Sequence, residues 1–299
     1  MIGVINIKVA IISDIHGNIE ALEAVLNDIK NDNVDKVVAL GDLCNELPNG
    51  NEVINVLRDI NAYGIKGNKE EYFLDYEKHK YDWENIQFKN TIFMYNQLTE
   101  ENKEYIRKLP FELVLDIEGT KVKFVHASPE SLCELVYEKD DERLEEIAKT
   151  LEEDILIYGH IHDPIWIKEV KGKTFINTGC AGVSVFNIGQ AEYVILDIKD
   201  GKINIETRKA NFDLEKVKEN IIKSKMHLNE RTFINLVYLA LTGERQIRKK
   251  FYREGAEKML NSGRKLYKEN VEGIYKNFKL LDDDIWIEQS KEIEDLFLI

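Results

Sequence analysis

The chain has 299 residues, 43% hydrophobic and 32% charged, and its 55 acidic against 41 basic side chains give a formal net charge of −14. Four prolines among so many hydrophobic residues exclude a disordered or fibrous protein, and the length suits one large domain or one domain with an appendage. The acidic excess argues against a protein whose whole surface coats nucleic acid.

The first part of the chain alternates strand and helix signals. Apolar, β-branched runs at 8–13 and 36–40 predict buried strands, and a short strand is expected around 63–66. Between them, apolar residues recur at helical spacing over 19–29 and 53–60. This order predicts a parallel sheet with helices packed outside it.

The middle of the chain changes from helices to strands. Residues 69–109 are predicted to be helical, and strands take over after Pro110. A hairpin turn is expected at Glu118-Gly119, and another turn at 199–201. The remaining predicted elements are strands at 113–117, 121–125, 155–158, 164–168, 173–177, 191–198 and 202–209, with a helix near 143–152.

Strand signals stop near residue 211, which predicts two units. We assign an α/β domain to residues 1–210 and a helical C-terminal extension to 211–299, with helices broken at Gly243, Gly255, Gly263 and Gly273. The net negative charge belongs to the first unit, whereas the extension is nearly neutral with a basic centre over 231–268.

Compartment and membrane signals are consistent with one another. Cys44, Cys133 and Cys180 are far apart and have no CxxC spacing, which is typical of free thiols in a reducing compartment. The first residues lack the basic segment and cleavage site of a secretion signal, and no run of about 18 apolar residues occurs. We therefore expect a cytoplasmic protein that does not enter a membrane.

Polar clusters follow five of the predicted strands. The carboxyl ends of parallel strands meet at one edge of a sheet, so we expect these side chains to converge. Four of the six histidines are among them. The clustered residues are Asp14, His16, Asp42, Asn68, His126, His160 and His162.

The chemistry of this set points to metal ions. Imidazole, carboxylate and amide donors suit Mn, Fe, Zn, Ni or Co, and seven ligands suit two ions that share one carboxylate. Two metals ~3.5–4 Å apart are a common arrangement for splitting phosphate esters. Asp14 and His16 are two residues apart, as are His160 and His162, so an extended backbone would point each pair to one side, although turning loops decide the true directions. Any one cluster alone could be an ordinary turn, but all five in order are not explained that way.

The complete motif set resembles the calcineurin-like metallophosphoesterases, whose pattern is D-x-H, G-D, G-N-H-[DE], a lone His and G-H-x-H. It looks most like the small bacterial and archaeal phosphodiesterase branch, and the resemblance runs from about Val9 to Lys209. It implies an α/β fold, the four-layer α/β/β/α sandwich, here with a C-terminal helical extension. Residues 1–210 would then be the catalytic domain.

The resemblance also implies the roles of individual residues. Asp14, His16 and His162 would bind the first of two divalent metal ions. Asn68, His126 and His160 would bind the second, and Asp42 would bridge them. The implied reaction is hydrolysis of phosphodiesters or nucleotide anhydrides, dinucleoside polyphosphates included, by in-line attack of a hydroxide held between the metals.

Two residues near the motifs carry open alternatives. Many family members have a histidine after Gly-Asn that protonates the leaving group, whereas this chain has Lys69. Lys69 could contact substrate phosphate as a positive charge or merely begin the next helix. An ordinary lysine, with a pKa of ~10.4, is a poor proton donor, which favours diesters and anhydrides over alkyl monoesters. Asn18 could touch substrate phosphate or serve as a turn residue.

Two other functions fit the sequence less well. A non-catalytic protein-binding scaffold of the same fold would be expected to lose metal ligands, and every ligand position is filled here. A nuclease is disfavoured by the acidic catalytic region, so we expect a small phosphorylated or nucleotide substrate rather than nucleic acid. The basic run 245–253 could bind nucleic acid or lie near the mouth of the site, but we favour a solvated helix face with Phe251 and Tyr252 packed inward. The oligomeric state is not predicted.

Overall fold

Two five-stranded sheets form the centre of the structure, a computed structural model that describes residues 7–83, 85–199, 201–264 and 281–295. The strands are β1 (Ile7–Ile12), β2 (Lys36–Ala39), β3 (Tyr63–Gly64), β4 (Glu112–Ile117), β5 (Thr120–Val125), β6 (Ile155–Tyr158), β7 (Trp166–Val170), β8 (Lys173–Asn177), β9 (Gln190–Lys199) and β10 (Lys202–Asn211). The first sheet has the order β10-β9-β1-β2-β3 and the second β4-β5-β6-β8-β7.

Parallel pairing in both sheets aligns the strand ends that matter for the site. In the first sheet β1 pairs in parallel with β2 and β2 with β3, while β9 and β10 are antiparallel additions. In the second sheet β5, β6 and β8 are mutually parallel, and β4 and β7 flank them in antiparallel fashion. The loops after β1, β2 and β3 therefore leave one edge of the first sheet, as parallel connections require.

The main core lies between the two sheets. Alternate residues of each strand face it, because side chains in a strand point to opposite sides in turn. Val9 and Ile11 of β1 share one cluster with Phe124, Ile157 and Ile176 from the second sheet, and all are fully buried.

Helices cover the outer faces of both sheets. The α-helices of the described residues are α1 (Ile19–Asp28), α2 (Gly50–Asp59), α3 (Asn68–Lys78), α4 (Lys89–Gln97), α5 (Glu100–Lys108), α6 (Asp141–Thr150), α7 (Leu214–Ser224), α8 (Arg231–Leu241), α9 (Arg245–Asn261) and α10 (Asp283–Asp295). Leu22 of α1 and Val53 of α2 pack beneath the first sheet, whereas Leu144 and Ile147 of α6 pack on the second. The predicted α/β/β/α sandwich is thereby confirmed.

The C-terminal helices pack against the sandwich. Ile234 and Val237 of α8 share a buried cluster with Ile54 of α2 and Met94 of α4. Asn85 also donates a hydrogen bond, at 3.2 Å, to the carbonyl oxygen of Leu281, which precedes α10. The predicted domain boundary after residue 210 stays a prediction.

Most predicted elements are present within one to three residues of their expected bounds. The strand expected at 164–168 lies at Trp166–Val170, and the hairpin residues Glu118 and Gly119 both have the positive φ of a tight turn. The predicted break at Gly255 is wrong, because α9 runs through it. A Cβ there would lie 2.5 Å from Cδ1 of Leu281, so the glycine permits close packing rather than ending the helix. Asp200 of the predicted second turn and the predicted break at Gly273 lie outside the described residues.

Among the described residues, no helix is long and apolar enough to cross a membrane.

Candidate metal centre

The seven clustered residues meet at one end of the sandwich. Four of them follow strands of the first sheet: Asp14 and His16 follow β1, Asp42 follows β2 and Asn68 follows β3. The other three follow strands of the second sheet: His126 follows β5, and His160 and His162 follow β6. Six of the seven fall into two groups in which the candidate ligand atoms lie within 4.8 Å of one another. One group is Asp14, His16 and His162, and the other is Asp42, His126 and His160.

The first group surrounds Oδ1 of Asp14. Nε2 of His162 lies 3.2 Å from that oxygen and Nε2 of His16 lies 3.7 Å from it. The two imidazole nitrogens are 3.1 Å apart. Both histidines and the carboxylate thus direct donor atoms at a common point.

The second group is centred on Nε2 of His126. That nitrogen lies 2.9 Å from Oδ1 of Asn68 and 3.2 Å from Nδ1 of His160. Asn68, expected to bind the second metal, is therefore in place beside the group. Nδ1 of His126 donates a hydrogen bond to the carbonyl oxygen of Leu40 at 2.8 Å, which orients the ring so that Nε2 faces Asn68 and His160.

Asp42 joins the two groups. Its Oδ2 lies 3.7 Å from Nε2 of His16, and its Oδ1 lies 3.5 Å from Nε2 of His126. Each oxygen of one carboxylate therefore faces a different group. Such convergence of lone pairs is unfavourable without a cation between them, so the donor set fits two divalent ions.

One side-chain and one backbone hydrogen bond hold the first group in position. Oδ2 of Asp14 accepts hydrogen bonds from Oγ of Ser13 at 2.5 Å and from the backbone N–H of His160 at 2.9 Å. These bonds leave Oδ1 to face the histidines. The loop after β1 and the loop after β6 are thereby tied to each other.

The backbone at the site is turned rather than extended. Asp14, His16, Asp42, His160 and His162 all have φ between 50° and 66°. The left-handed region is rare for residues other than glycine, and its occurrence here costs about 1–3 kcal/mol per residue. Turning loops therefore decide the directions of the side chains in the Asp14/His16 pair and the His160/His162 pair, since tight turns start directly after β1 and β6.

Two glycines allow the loops to approach closely. A Cβ on Gly67 would overlap the backbone nitrogen and the carboxylate of Asp42. A Cβ on Gly159 would overlap Oγ of Ser13 and lie 2.5 Å from Oδ2 of Asp14. Neither glycine has a positive φ, so close approach is the reason for the residue type.

Burial and charge set the protonation of this site. Burial would raise the pKa of Asp14, but the charge of His162 and the hydrogen bonds from His16 and His162 hold it well below its usual range. Burial, followed by the charge of His126, lowers the pKa of His160 to about 3. A neutral imidazole and an ionised carboxylate are the forms that bind metal ions.

Glu70 is a site residue whose role the sequence analysis missed. Its buried carboxylate accepts hydrogen bonds from the backbone N–H groups of Asp42 at 2.8 Å, Leu43 at 2.9 Å and Gly67 at 2.8 Å. It therefore ties the loop that carries Asp42 to the start of α3, which carries Asn68. The acidic fourth position of the Gly-Asn-Lys-Glu motif was the available signal.

Glu46 is a second residue beside the site that the sequence motifs did not indicate. Its Oε1 lies 3.3 Å from Nζ of Lys69, and its side chain is almost completely buried. Burial would raise the pKa of Glu46, but the facing charges, led by those of His16 and Lys69, hold it well below its ordinary value. Burial would lower the pKa of Lys69, but Glu46 and Asp42 raise it. Lys69 is therefore a fixed positive charge beside the two groups.

Asn18 is occupied by backbone contacts. Its Oδ1 accepts a hydrogen bond from the backbone N–H of Ala21 at 3.1 Å, which caps α1, and its Nδ2 donates to the carbonyl oxygen of Gly182 at 2.7 Å. These contacts favour the alternative in which Asn18 is a turn and capping residue.

The basic run of α9 is only partly a solvated face. Phe251 is buried against Trp286, with ring centroids 5.1 Å apart, in agreement with the expected inward packing. Arg248 and Tyr252, however, line a cavity together with Lys69. The extension therefore reaches the neighbourhood of the metal-ligand groups.

Comparisons with known proteins agree with this geometry. The family model described as the calcineurin-like phosphoesterase superfamily domain matches residues 7–201. The uncharacterized protein MJ0912 of Methanocaldococcus jannaschii is 33% identical over 258 residues, which cover 76% of this chain and 97% of that protein.

Solved structures show the same fold. A metallophosphoesterase from Sphaerobacter thermophilus superimposes with a TM-score of 0.63 at 20% identity, covering 78% of this chain and 100% of that one. The hypothetical protein PH1004 from Pyrococcus horikoshii superimposes with a TM-score of 0.65 at 19% identity, covering 79% and 98%. The chain thus belongs to the calcineurin-like phosphoesterase superfamily and is a metal-dependent phosphoric ester hydrolase.

Proposed function

We propose that the protein is a dinuclear-metal phosphodiesterase that hydrolyses small phosphodiesters or nucleotide anhydrides, dinucleoside polyphosphates included. One observation carries the proposal: two groups of metal-ligand atoms adjoin, and the two oxygens of Asp42 face one group each. A shared carboxylate between paired sites suits two ions at the short separation used for cleavage of phosphate esters.

Each ion has a defined set of ligands in this proposal. Asp14, His16 and His162 hold the first, and Asn68, His126 and His160 hold the second, with Asp42 between them. Bound divalent ions supply an acidified water as nucleophile and neutralise the charge that develops on phosphorus. Histidine, carboxylate and amide donors favour Mn, Fe, Zn, Ni or Co over Mg.

Lys69 supports the choice of diesters and anhydrides. Its backbone N–H donates to Oδ1 of Asp42 at 2.8 Å, which fixes the start of α3 against the site. Its side chain is paired with Glu46 and keeps its charge, so it attracts a phosphate oxygen instead of donating a proton. Leaving groups that need no protonation, such as a nucleotide across an anhydride, are therefore the expected substrates.

The cysteines support the proposed compartment, and the net charge of the chain supports the proposed substrate class. Cys44, Cys133 and Cys180 are all free thiols, which supports a reducing, cytoplasmic location. The acidic composition supports a small anionic substrate that is bound by the metals rather than a nucleic acid that is bound by an extended basic surface.

The decisive experiment compares Asp42→Ala with Asp59→Ala. Metal-depleted protein is reloaded with Mn, Fe, Ni, Zn or Mg, and hydrolysis of bis(p-nitrophenyl) phosphate, p-nitrophenyl phosphate and diadenosine tetraphosphate is measured. We expect Asp42→Ala to reduce the diester rate to background because both ions lose a ligand. Asp59 lies exposed at the end of α2, so its variant should match the wild type. Full activity of Asp42→Ala would refute the assigned site.

A further inference from the structure

A cavity of about 160 Å³ lies between the loop after β2, helix α3 and the C-terminal helices. Its two sides come from distant parts of the chain. The sandwich contributes Asn45, Glu46, Lys69, Tyr72, Gln87, Phe88 and Thr91, and the extension contributes Phe233, Arg248, Tyr252 and Trp286.

This cavity adjoins the metal-ligand groups. Lys69 directly follows Asn68, and its backbone N–H is bonded to Asp42. The hydroxyl of Tyr72 accepts a hydrogen bond from Nδ2 of Asn68 at 2.8 Å. A molecule whose phosphorus lies between the two groups can therefore extend directly into the cavity.

Two polar residues that line the cavity have side-chain atoms without partners in the described part of the chain. Oδ1 of Asn45 and Oε2 of Glu46 are buried without a hydrogen-bond partner, although the two residues are only 2% and 5% exposed. Buried acceptors in that state are unfavourable and call for O–H or N–H donors from a ligand. Arg248 makes no salt bridge with any described residue, so its guanidinium is available to an anion.

The remaining walls are aromatic and the space is small. Phe88, Phe233, Tyr252 and Trp286 present ring surfaces. The volume of about 160 Å³ is close to that of the ~150 Å³ cavity that takes up one benzene ring. The cavity is therefore suited to one ring of a ligand and not to a complete dinucleotide.

We propose that this cavity binds the base of the substrate's nucleoside, with one ring between the aromatic side chains and the donors of the base directed at Asn45 and Glu46. Lys69 and Arg248 then face the phosphate that joins this nucleoside to the scissile bond. The inference rests on the proposed function and deepens it: the substrate class is a nucleotide, and the C-terminal extension provides part of the binding site.

The test uses the Mn-loaded, full-length protein and two non-hydrolysable ligands. Methylenediphosphonate presents only the bridged anion, whereas α,β-methylene ADP adds the nucleoside. Isothermal titration measures the affinity for each. We expect the nucleoside to tighten binding by about 10-fold or more, as one stacked ring does.

Three variants assign that gain to the cavity. Tyr252→Ala should remove most of the gain from the nucleoside, and Arg248→Ala should weaken binding of α,β-methylene ADP by about 10-fold, the effect of one charge-assisted hydrogen bond. Arg253→Ala is the matched control, because it removes an exposed guanidinium from the same helix; it should stay within about twofold of wild type. The Arg248 variant keeps the test valid if the Tyr252 variant does not fold.

The possible failures are distinguishable. If both ligands bind the wild type equally, or if the Arg248 and Tyr252 variants match the Arg253 variant, the nucleoside site is refuted while the metal centre stands. If neither ligand binds in a metal-dependent way and no diester is hydrolysed, the proposed function is refuted. The nucleoside site is then refuted too, because it rests on that function.

Discussion

Replacing Glu70 by glutamine tests whether a buried carboxylate organises the metal centre. Four backbone N–H groups point at this side chain, three of them from the loop after β2 and one from Gly67. Glutamine has the same shape but only one acceptor oxygen. In its best orientation it keeps the bonds to Asp42 and Gly67 on one oxygen and turns its NH₂ group toward the N–H of Leu43 at 2.9 Å and the more distant N–H of Cys44 at 3.5 Å.

The expected cost follows from that geometry. Losing one hydrogen bond to a charged group costs about 1.5–3 kcal/mol, and two donors then face each other in a buried place, so we expect about 2–4 kcal/mol in total. For a chain of this size that corresponds to a fall in Tm of about 5–15 °C. Residues that orient metal ligands also typically change metal affinity or activity by about 10- to 100-fold.

The assay combines calorimetry with metal titration. Thermal unfolding of the metal-free protein gives the change in Tm, and Mn titration at 25 °C, where both proteins are folded, gives the change in affinity. Glu71→Gln is the control, because the neighbouring Glu71 forms a part-exposed salt bridge with Lys66 at 2.9 Å that is worth about 0–1 kcal/mol. If Glu70→Gln binds Mn as tightly as Glu71→Gln does, Glu70 does not position the ligands.

Three further predictions concern the turns and the ions. Adding Mn at about 100 times its Kd to EDTA-treated protein should stabilise it by ~2.7 kcal/mol, and an unchanged Tm in differential scanning calorimetry would contradict a built metal site. Gly67→Ala should lower both Tm and diesterase activity far more than Gly119→Ala, because the new Cβ at Gly67 overlaps Asp42. At Gly119 no atom lies within 4 Å of the new Cβ, and only the positive φ opposes the change. Asn18→Ala should destabilise the protein by about 1–2 kcal/mol in urea unfolding through loss of the α1 cap, with KM unchanged; a raised KM at unchanged stability would instead assign Asn18 to substrate binding.

The local signals in the sequence were sufficient for most of the strands and helices, whereas the arrangement of two sheets was implied by the resemblance of the motifs to a known family. Period-two and period-3.6 patterns depend only on which face of a strand or helix is buried, and they located β1, β2 and the flanking helices close to their observed positions. Local patterns failed at Gly255, which they predicted to end a helix. Glycine occurs there because Leu281, 26 residues later in the chain, packs closely against it. No local pattern records such a contact.

The sequence by itself determined the family and the seven residues of the candidate site, because each of them follows a strand within a short motif. Only the tertiary structure decided how their atoms face one another, since the left-handed turns after the strands orient the side chains. The acidic net charge of the chain likewise did not predict a cavity with basic side chains. Lys69 and Arg248 both line that cavity, although they are far apart in sequence. Packing of the extension on the sandwich brings these two charges together, and that packing depends on buried surfaces that no single segment contains.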